Sequence, residues 1–306
     1  MPTQTPSPST SARAGEAQST RTWDPAAFDA PDYYALDDLL SDEALAIRDE
    51  VRAFVTEEVQ PVIEKYAQRA EFPREMIGEF ADLGVLGPHI PAEYGGGGHS
   101  GTIYGLMMQE IERGDSGLRS FCSVTGSLVM YPIWRYGSQA QKERWLPQLA
   151  NGEAIGCFGL TEPEVGSNPS AMQTRARRDG DDWILNGHKR WSTNATIADV
   201  AVIWAKDEDD GVRGFLVETD RDGVSTPTID DTWSLRAAVT SEVVLDDVRV
   251  PDAHRLPGVE GLKGPLSCLN QARYGICWGT VGAAMACYDA ARQHAQNRTQ
   301  FGKPIG

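Results

Sequence analysis

The stretch that decides the fold begins at Cys157 and reads Cys157-Phe-Gly-Leu-Thr-Glu-Pro-Glu-Val-Gly-Ser-Asn168, followed later by Asn186-Gly-His-Lys-Arg-Trp-Ser-Thr-Asn194. The first segment offers the hydroxyl of Thr161 and backbone N–H groups near Gly159 and Gly166, where a ligand can approach the main chain closely. The second places an aromatic ring, Trp191, two residues before the hydroxyl of Thr193. Together they provide two walls for a flat ring that needs many hydrogen bonds.

Composition indicates an ordinary globular protein. The chain has 306 residues, of which 41% are hydrophobic and 24% charged, and this length allows two or three domains. The net charge of -16 and the pI near 4.7 argue against nucleic acid or an anionic membrane as a partner. No apolar run is long enough to predict a membrane span.

The five cysteines are scattered and include no CxxC pair, so we predict neither a disulfide framework nor a metal site. This usage fits a reducing compartment, either the cytoplasm or, in a eukaryote, the mitochondrial matrix. Residues 1–30 are rich in Pro, Ser and Thr at their start, and we predict a disordered tail there.

The hydrophobic period predicts helices before residue 150 and strands after it. Ser41 is a predicted N-cap, Pro61 is expected to break the first helix, and further helices are expected over 76–86, 102–113, 117–136 and 139–149. Asn186-Gly187 predicts a two-residue hairpin, with more strands at 200–204, 214–218 and 242–245. A helical period returns after Pro265.

This order predicts an α+β fold with an N-terminal all-α domain at 31–153 and a middle antiparallel β-barrel or sandwich at 154–262. The start of a C-terminal helical domain is predicted at 263–306. Its small-residue stripe, which includes Gly275, Gly279 and Gly282, predicts close helix packing.

Both quoted segments resemble the flavin-binding signatures of the acyl-CoA dehydrogenase family, read here as Phe158-Gly-Leu-Thr-Glu-Pro-x-x-Gly-Ser167 and Lys189-x-Trp-x-Thr-Asn194. The resemblance implies FAD as cofactor, with Thr161 on the pyrimidine side of the ring, Ser167 also near the thioester, and Thr193 near N5. Arg298-x-Gln-Phe-Gly matches a position that contacts the pyrophosphate. The FAD-binding residues it implies are Phe158, Gly159, Leu160, Thr161, Gly166, Ser167, Trp191, Ser192, Thr193, Arg298 and Phe301.

Within the family, Glu112-Arg-Gly-Asp-Ser-Gly-Leu-Arg-Ser120 and Leu266-Ser-Cys-Leu-Asn-Gln-Ala-Arg-Tyr-Gly275 resemble the glutaryl-CoA dehydrogenase branch. That resemblance implies oxidation of an acyl-CoA thioester, with glutaryl-CoA giving crotonyl-CoA and CO₂. The substrate-binding residues it implies are Glu112, Arg119, Ser120, Ser167, Leu266, Asn270 and Arg273. The alternative for Glu112 and Arg119 is a solvated ion pair two helical turns apart.

The resemblance also implies a catalytic Glu, an electron-transfer flavoprotein as electron acceptor, and a homo-tetramer. Neither family position for the Glu supplies one here, because Ala272 stands at one and the other would follow Gly306. We therefore predict a C-terminally truncated chain with no catalytic residue of its own, an exposed Gly/Ala stripe and a doubtful tetramer. Two alternatives stay open, a non-catalytic FAD- and acyl-CoA-binding fragment or pseudoenzyme, and an oxidase or hydroxylase.

Overall fold

The computed structural model describes Asp24, Ala27, Phe28 and residues 31–306. The predicted tail at 1–30 therefore lies outside the described residues, apart from these three. Helices occupy the described chain from residue 36 to residue 150, a β-sheet follows, and one long helix comes after it. The predicted α+β class is confirmed.

The described part of the N-terminal region contains seven α-helices. The hydroxyl of Ser41 accepts a hydrogen bond from the amide of Ala44 and starts the first helix, as predicted. Pro61 follows a π-helical turn at Val55–Val59, and the helix resumes only at Ile63. The helices are α1 Asp42–Phe54, α2 Ile63–Arg69, α3 Ile77–Asp82, α4 Gly101–Gly114, α5 Ser116–Ser123, α6 Tyr131–Tyr136 and α7 Gln139–Ala150.

The sheet has seven strands: six follow the order β1-β4-β2-β3-β7-β6, and β5 pairs with β4 outside this order. Most pairs are antiparallel, as predicted for this domain, but β4 pairs in parallel with β1 and, at one residue, with β2. The strands are β1 Gly156–Gly159, β2 Arg175–Asp179, β3 Asp182–Thr193, β4 Val200–Lys206, β5 Val212–Glu218, β6 Val224–Ser225 and β7 Thr240–Pro251.

Asn186-Gly187 does not form the predicted hairpin. Both residues lie inside the continuous strand β3, at a bulge where its register with β7 shifts. The chain reverses instead between β2 and β3, where Asp179 pairs with Asp182. A Cβ on Gly187 would lie 2.3 Å from Oγ1 of Thr174, so the glycine serves close packing between neighbouring strands.

After the sheet, α8 runs from Lys263 to Asn297, and a small hairpin of β8 Thr299–Gln300 and β9 Lys303–Pro304 follows it. The predicted exposure of the small-residue stripe was wrong for its three glycines, whereas Ala286 and Ala290, also in the stripe, are half-buried. Gly275, Gly279 and Gly282 are buried, and a Cβ on Gly282 would lie 1.8 Å from the carbonyl oxygen of Gln109 in α4. Helix α4 therefore covers the stripe at backbone contact.

The helices and the sheet share a hydrophobic core. One apolar cluster joins helical residues such as Leu146 to sheet residues such as Val202 and Leu216. Within the described part of the chain, no helix has both the length and the apolar composition that a membrane crossing requires.

Candidate functional site

A cavity of about 290 Å³ opens where the sheet meets the helices. Its walls come from the segment after β1, the end of β3, the first turns of α8, and a π-helical turn at Val124–Met130 that joins α5 to α6. Such turns interrupt helices frequently at functional sites. Nine residues predicted to bind cofactor or substrate line this one cavity: Phe158, Leu160, Thr161, Gly166, Ser167, Trp191, Thr193, Leu266 and Arg273.

The two signature segments meet through their main chains. The amide of Arg190 donates to the carbonyl oxygen of Thr161 across 2.8 Å. Immediately after it, β3 carries a second bulge, and Trp191 adopts a φ of 61°. A tryptophan in the left-handed region is strained, and such strain concentrates at functional positions. The bulge leaves the indole 55% exposed at the cavity.

Arg190 also lines the cavity, and sequence reasoning did not single it out. Its guanidinium carbon lies 5.0 Å from the centroid of the Trp191 ring, within the range of a cation–π contact. A cation therefore sits beside the aromatic wall.

Two residues predicted to bind the cofactor lie behind the wall. A Cβ on Gly159 would lie 2.7 Å from Cδ1 of Ile203, so this glycine packs against the neighbouring strand. Ser192 is buried, and its hydroxyl makes no hydrogen bond within the described structure. Neither residue lines the cavity.

Arg298 and Phe301 lie at the opposite end of α8 from the cavity. Leu266, near the start of the helix, is 32 residues before Arg298, which corresponds to about 48 Å of helix. Both residues are exposed. The structure therefore does not bring them to the cavity of their own chain.

Glu112 and Arg119 form a buried ion pair, so the alternative of a solvated pair was wrong. They do not share one helix: Asp115 ends α4, and its carboxylate caps α5 by accepting from the amides of Gly117 and Leu118. Arg119 donates through Nε to Glu112, which also accepts from Ser116 at 2.7 Å.

The pair and the buried Ser120 do not line the cavity but lie close to it along the chain. Ser120 comes one helical turn before Val124, which is a lining residue. Asn270 is exposed, and its side-chain oxygen accepts from the lining residue Arg273 at 3.2 Å.

Sequence reasoning also missed a buried ion pair within the two signatures. Nζ of Lys189 donates to Oε1 of Glu162 across 2.8 Å, and the lysine is fully buried. Burial lowers the pKa of Lys189 to about 8 despite the carboxylate beside it. Burial alone would raise the pKa of Glu162, but Lys189 and the hydrogen bonds from Thr174 and Gln173 hold it below its ordinary value.

Three successive parts of the chain match three known domain families. Acyl-CoA dehydrogenase, N-terminal domain, covers residues 41–153; the middle domain covers 157–248; and the C-terminal domain covers 260–306.

Individual relatives agree with these matches. A glutaryl-CoA dehydrogenase of Desulfococcus multivorans is 38% identical over 87% of this chain and 71% of its own length. The crystal structure of a glutaryl-CoA dehydrogenase from Mycobacterium smegmatis in complex with FADH2 is 52% identical, with a TM-score of 0.87 over 89% of this chain and 70% of that chain.

The rat mitochondrial short-chain specific acyl-CoA dehydrogenase is 34% identical over 85% of this chain. The aligned region spans 64% of the rat protein. With three successive domain matches and relatives of this identity and coverage, the chain belongs to the acyl-CoA dehydrogenase family.

Proposed function

We propose that this cavity holds the isoalloxazine ring of FAD and that the protein takes part in the α,β-dehydrogenation of an acyl-CoA thioester. One observation carries the proposal: both signature segments contribute to the same cavity. The residues fit the cofactor, because an exposed indole faces the cavity beside the lining residues Thr161, Ser167 and Thr193. FAD, when bound, supplies a hydride acceptor.

The chain's own residues orient the two reactants in this proposal. Thr161 and Thr193 would hydrogen-bond the ring, Trp191 would pack on it, and Ser167 would also approach the thioester. Arg298 and Phe301 could reach a flavin only in a second copy of the chain, because α8 separates them from their own cavity by about 48 Å. Assembly of several copies, as in the family tetramer, belongs to this proposal.

We propose a dicarboxylyl thioester, glutaryl-CoA, as the substrate. The Glu112–Arg119 pair lies against Gly279 of α8, six residues or about 9 Å beyond the lining residue Arg273. Arg119 uses Nε toward Glu112, and its two terminal nitrogens make no hydrogen bond within the described structure. They are thus available for the second carboxylate of the substrate, a group that a guanidinium binds well.

A second candidate is a non-catalytic module that binds FAD and acyl-CoA. It is favoured by the cavity lining, which contains no Asp or Glu within the described residues. Position 272 is a buried alanine. A carboxylate base near the substrate contributes about 10²–10⁴-fold to proton abstraction, so we propose that the described residues bind the reactants without abstracting the proton.

The electron acceptor and the compartment are also proposals. Electron-transfer flavoprotein is the acceptor that the resemblance implies. All five cysteines are free, which fits the reducing cytoplasm proposed from the sequence.

Visible absorbance of the purified chain mixed with FAD tests the proposal. Stoichiometric binding, followed by bleaching with glutaryl-CoA under anaerobic conditions, would support the dehydrogenase. Binding without bleaching would support the binding module, and no binding would contradict both. Thr193→Val is expected to weaken FAD binding, whereas Thr240→Val, which changes the cross-strand neighbour of Thr193 outside the cavity lining, serves as its control.

A further inference from the structure

A loop of ten residues, 163–172, forms part of the cavity wall. Gly166, Ser167 and Pro169 of this loop are lining residues. The loop starts with a tight reversal, in which the amide of Val165 donates to the carbonyl oxygen of Glu162 at 3.1 Å and the amide of Glu162 donates back to Val165 at 2.9 Å. Gln173 and Thr174 follow the loop and lead into β2, which begins at Arg175.

One carboxylate ties the two ends of this loop together. Glu162 precedes the loop, and its Oε2 accepts from the amide of Gln173 at 2.6 Å. Its Oε1 accepts from the amide of Thr174 at 2.9 Å and from the Thr174 hydroxyl at 2.6 Å. Glu162 is 5% exposed, so water competes little for these hydrogen bonds.

The same carboxylate ties the loop to strand β3. Lys189 donates to Oε1 of Glu162 at 2.8 Å and to the carbonyl oxygen of Leu160 at 3.3 Å. The next residue, Arg190, donates its amide to Thr161, and Trp191 follows it. The ion pair thus stands where the loop wall and the aromatic wall are joined.

Neighbouring residues are adapted to this arrangement. Thr174 reaches Glu162 by passing over Gly187, where any Cβ would lie 2.3 Å from the threonine hydroxyl. Burying an ion pair brings little or no net stability compared with apolar groups of similar volume. The pair is therefore better explained by the geometry it imposes than by the stability it adds.

We propose that the Glu162–Lys189 pair is a positioning element that fixes the 163–172 loop against β3 and so preorganises both walls for a flavin ring. The inference rests on the proposed function for the identity of the ligand. The ordering of the loop itself does not depend on FAD and can be measured without it.

The test uses the neutral double variant Glu162→Gln/Lys189→Met in the full chain. Its control is Glu110→Gln/Arg113→Met, which neutralises a buried ion pair of the N-terminal helices and also removes the carboxylate that accepts from Arg52. We expect the first variant to keep its far-UV circular dichroism and to lose about tenfold or more in FAD affinity, because a disordered wall must be ordered on binding. We expect the control to bind FAD as the unmodified chain does.

Hydrogen exchange of the Gln173 and Thr174 amides, measured without FAD, provides the independent readout. Faster exchange at these two amides in the double variant supports the proposal, and unchanged exchange overturns it. If the unmodified chain binds no FAD, the proposed function fails while this exchange experiment still decides the role of the pair. If the double variant does not fold, Thr174→Val, which removes one donor to the carboxylate, is measured in the same way, with the same outcomes.

Discussion

The amide of Arg190 and the carbonyl oxygen of Thr161 lie 2.8 Å apart and join the two signature segments main chain to main chain. Because a backbone bond does not depend on side-chain identity, it sets the spacing of the walls, while the side chains on either side set what they bind. Changes to those side chains therefore test function, and changes to their supports test geometry.

FAD affinity is expected to fall as the pH rises through about 8. The pKa of Lys189 is lowered to about 8 by burial, and the charged group that faces it is Glu162. Below that pH the ammonium forms a charge-assisted hydrogen bond with the carboxylate; above it the amine is neutral, and the charge that strengthens this bond is lost. The dissociation constant for FAD, measured between about pH 7 and about pH 9, should follow this titration.

The titration of Lys189 is expected to change the free energy of unfolding in the opposite direction from the FAD affinity. Between about 8 and the ordinary value of 10.5, the unfolded chain holds the lysine proton and the folded chain does not, so Lys189 adds to the free energy of unfolding as the pH rises. A loss of FAD affinity in this range would thus not reflect unfolding through Lys189. Equal pH profiles for the unmodified chain and Glu162→Gln/Lys189→Met would contradict the prediction.

Acid is expected to destabilise the protein through His89. Neither ring nitrogen has a hydrogen-bond partner in the described structure, and the ring packs between Tyr104 and Tyr131. Burial lowers the pKa of His89 from 6.5 to about 4. The unfolded chain therefore takes the proton first, and stability is lost as the pH falls from 6.5 towards 4, by at most about 3 kcal/mol.

Urea unfolding at about pH 7 and about pH 5 measures this loss. His89→Phe removes the titrating group, so its free energy of unfolding should change less between the two pH values. A variant that loses as much stability as the unmodified chain would show that His89 is not responsible.

Gly279→Ala is expected to lower the free energy of unfolding by about 1–3 kcal/mol, as overpacking of a close contact does. The new Cβ would lie 2.3 Å from Oε2 of Glu112. Gly78→Ala in α3 is the matched control, since no atom lies within 4 Å of its Cβ, and alanine should add about 0.5–1 kcal/mol there. Thermal unfolding of both variants checks this prediction, and equal shifts in melting temperature would argue against tight packing at Gly279.

Trp191 is expected to report FAD binding by fluorescence. A flavin seated in the cavity would quench the indole that faces it. Trp191→Phe should remove most of the quenching, whereas Trp233→Phe, at a side chain that is 99% exposed and does not line the cavity, should leave it. Undiminished quenching in Trp191→Phe would place the flavin elsewhere.

Arg119→Lys is expected to weaken glutaryl-CoA binding by about tenfold and to leave butyryl-CoA binding unchanged. Lysine keeps the positive charge beside Glu112 but lacks the planar fork that binds a carboxylate. Calorimetric titration of both esters measures the contrast. An equal loss for the two esters would remove the dicarboxylyl assignment.

The sequence predicted what local patterns control. The cap at Ser41, the break after Pro61 and the helix-to-sheet change near residue 150 each depend on residues close in the chain, and all are confirmed. The pattern at Asn186-Gly187 was misleading because the glycine is required by close contact with Thr174, which immediately precedes the neighbouring strand β2.

The cavity lining was predicted in large part because two signature segments carry most of it. The ion pair that supports the cavity walls was not predicted, because Glu162 and Lys189 are ordinary charged residues until the fold buries them together. The small-residue stripe predicted close helix packing, but the identity of α4 as the helix that covers Gly279 and Gly282 depends on long-range contacts.

The contact between α4 and α8 is a point about which a small rotation of the long helix would displace its first turns by a larger distance. Its first turns line the cavity, and Gly279, where Glu112 packs, lies 13 residues or about 20 Å beyond Leu266. Pivoting by about 5° at that crossing would move Leu266 by about 2 Å, more than enough to misplace a reacting group. Because Gly279 and Gly282 have no side chains, α8 can pack closely against α4, and this contact fixes the dimensions of a cavity that lies further along the helix.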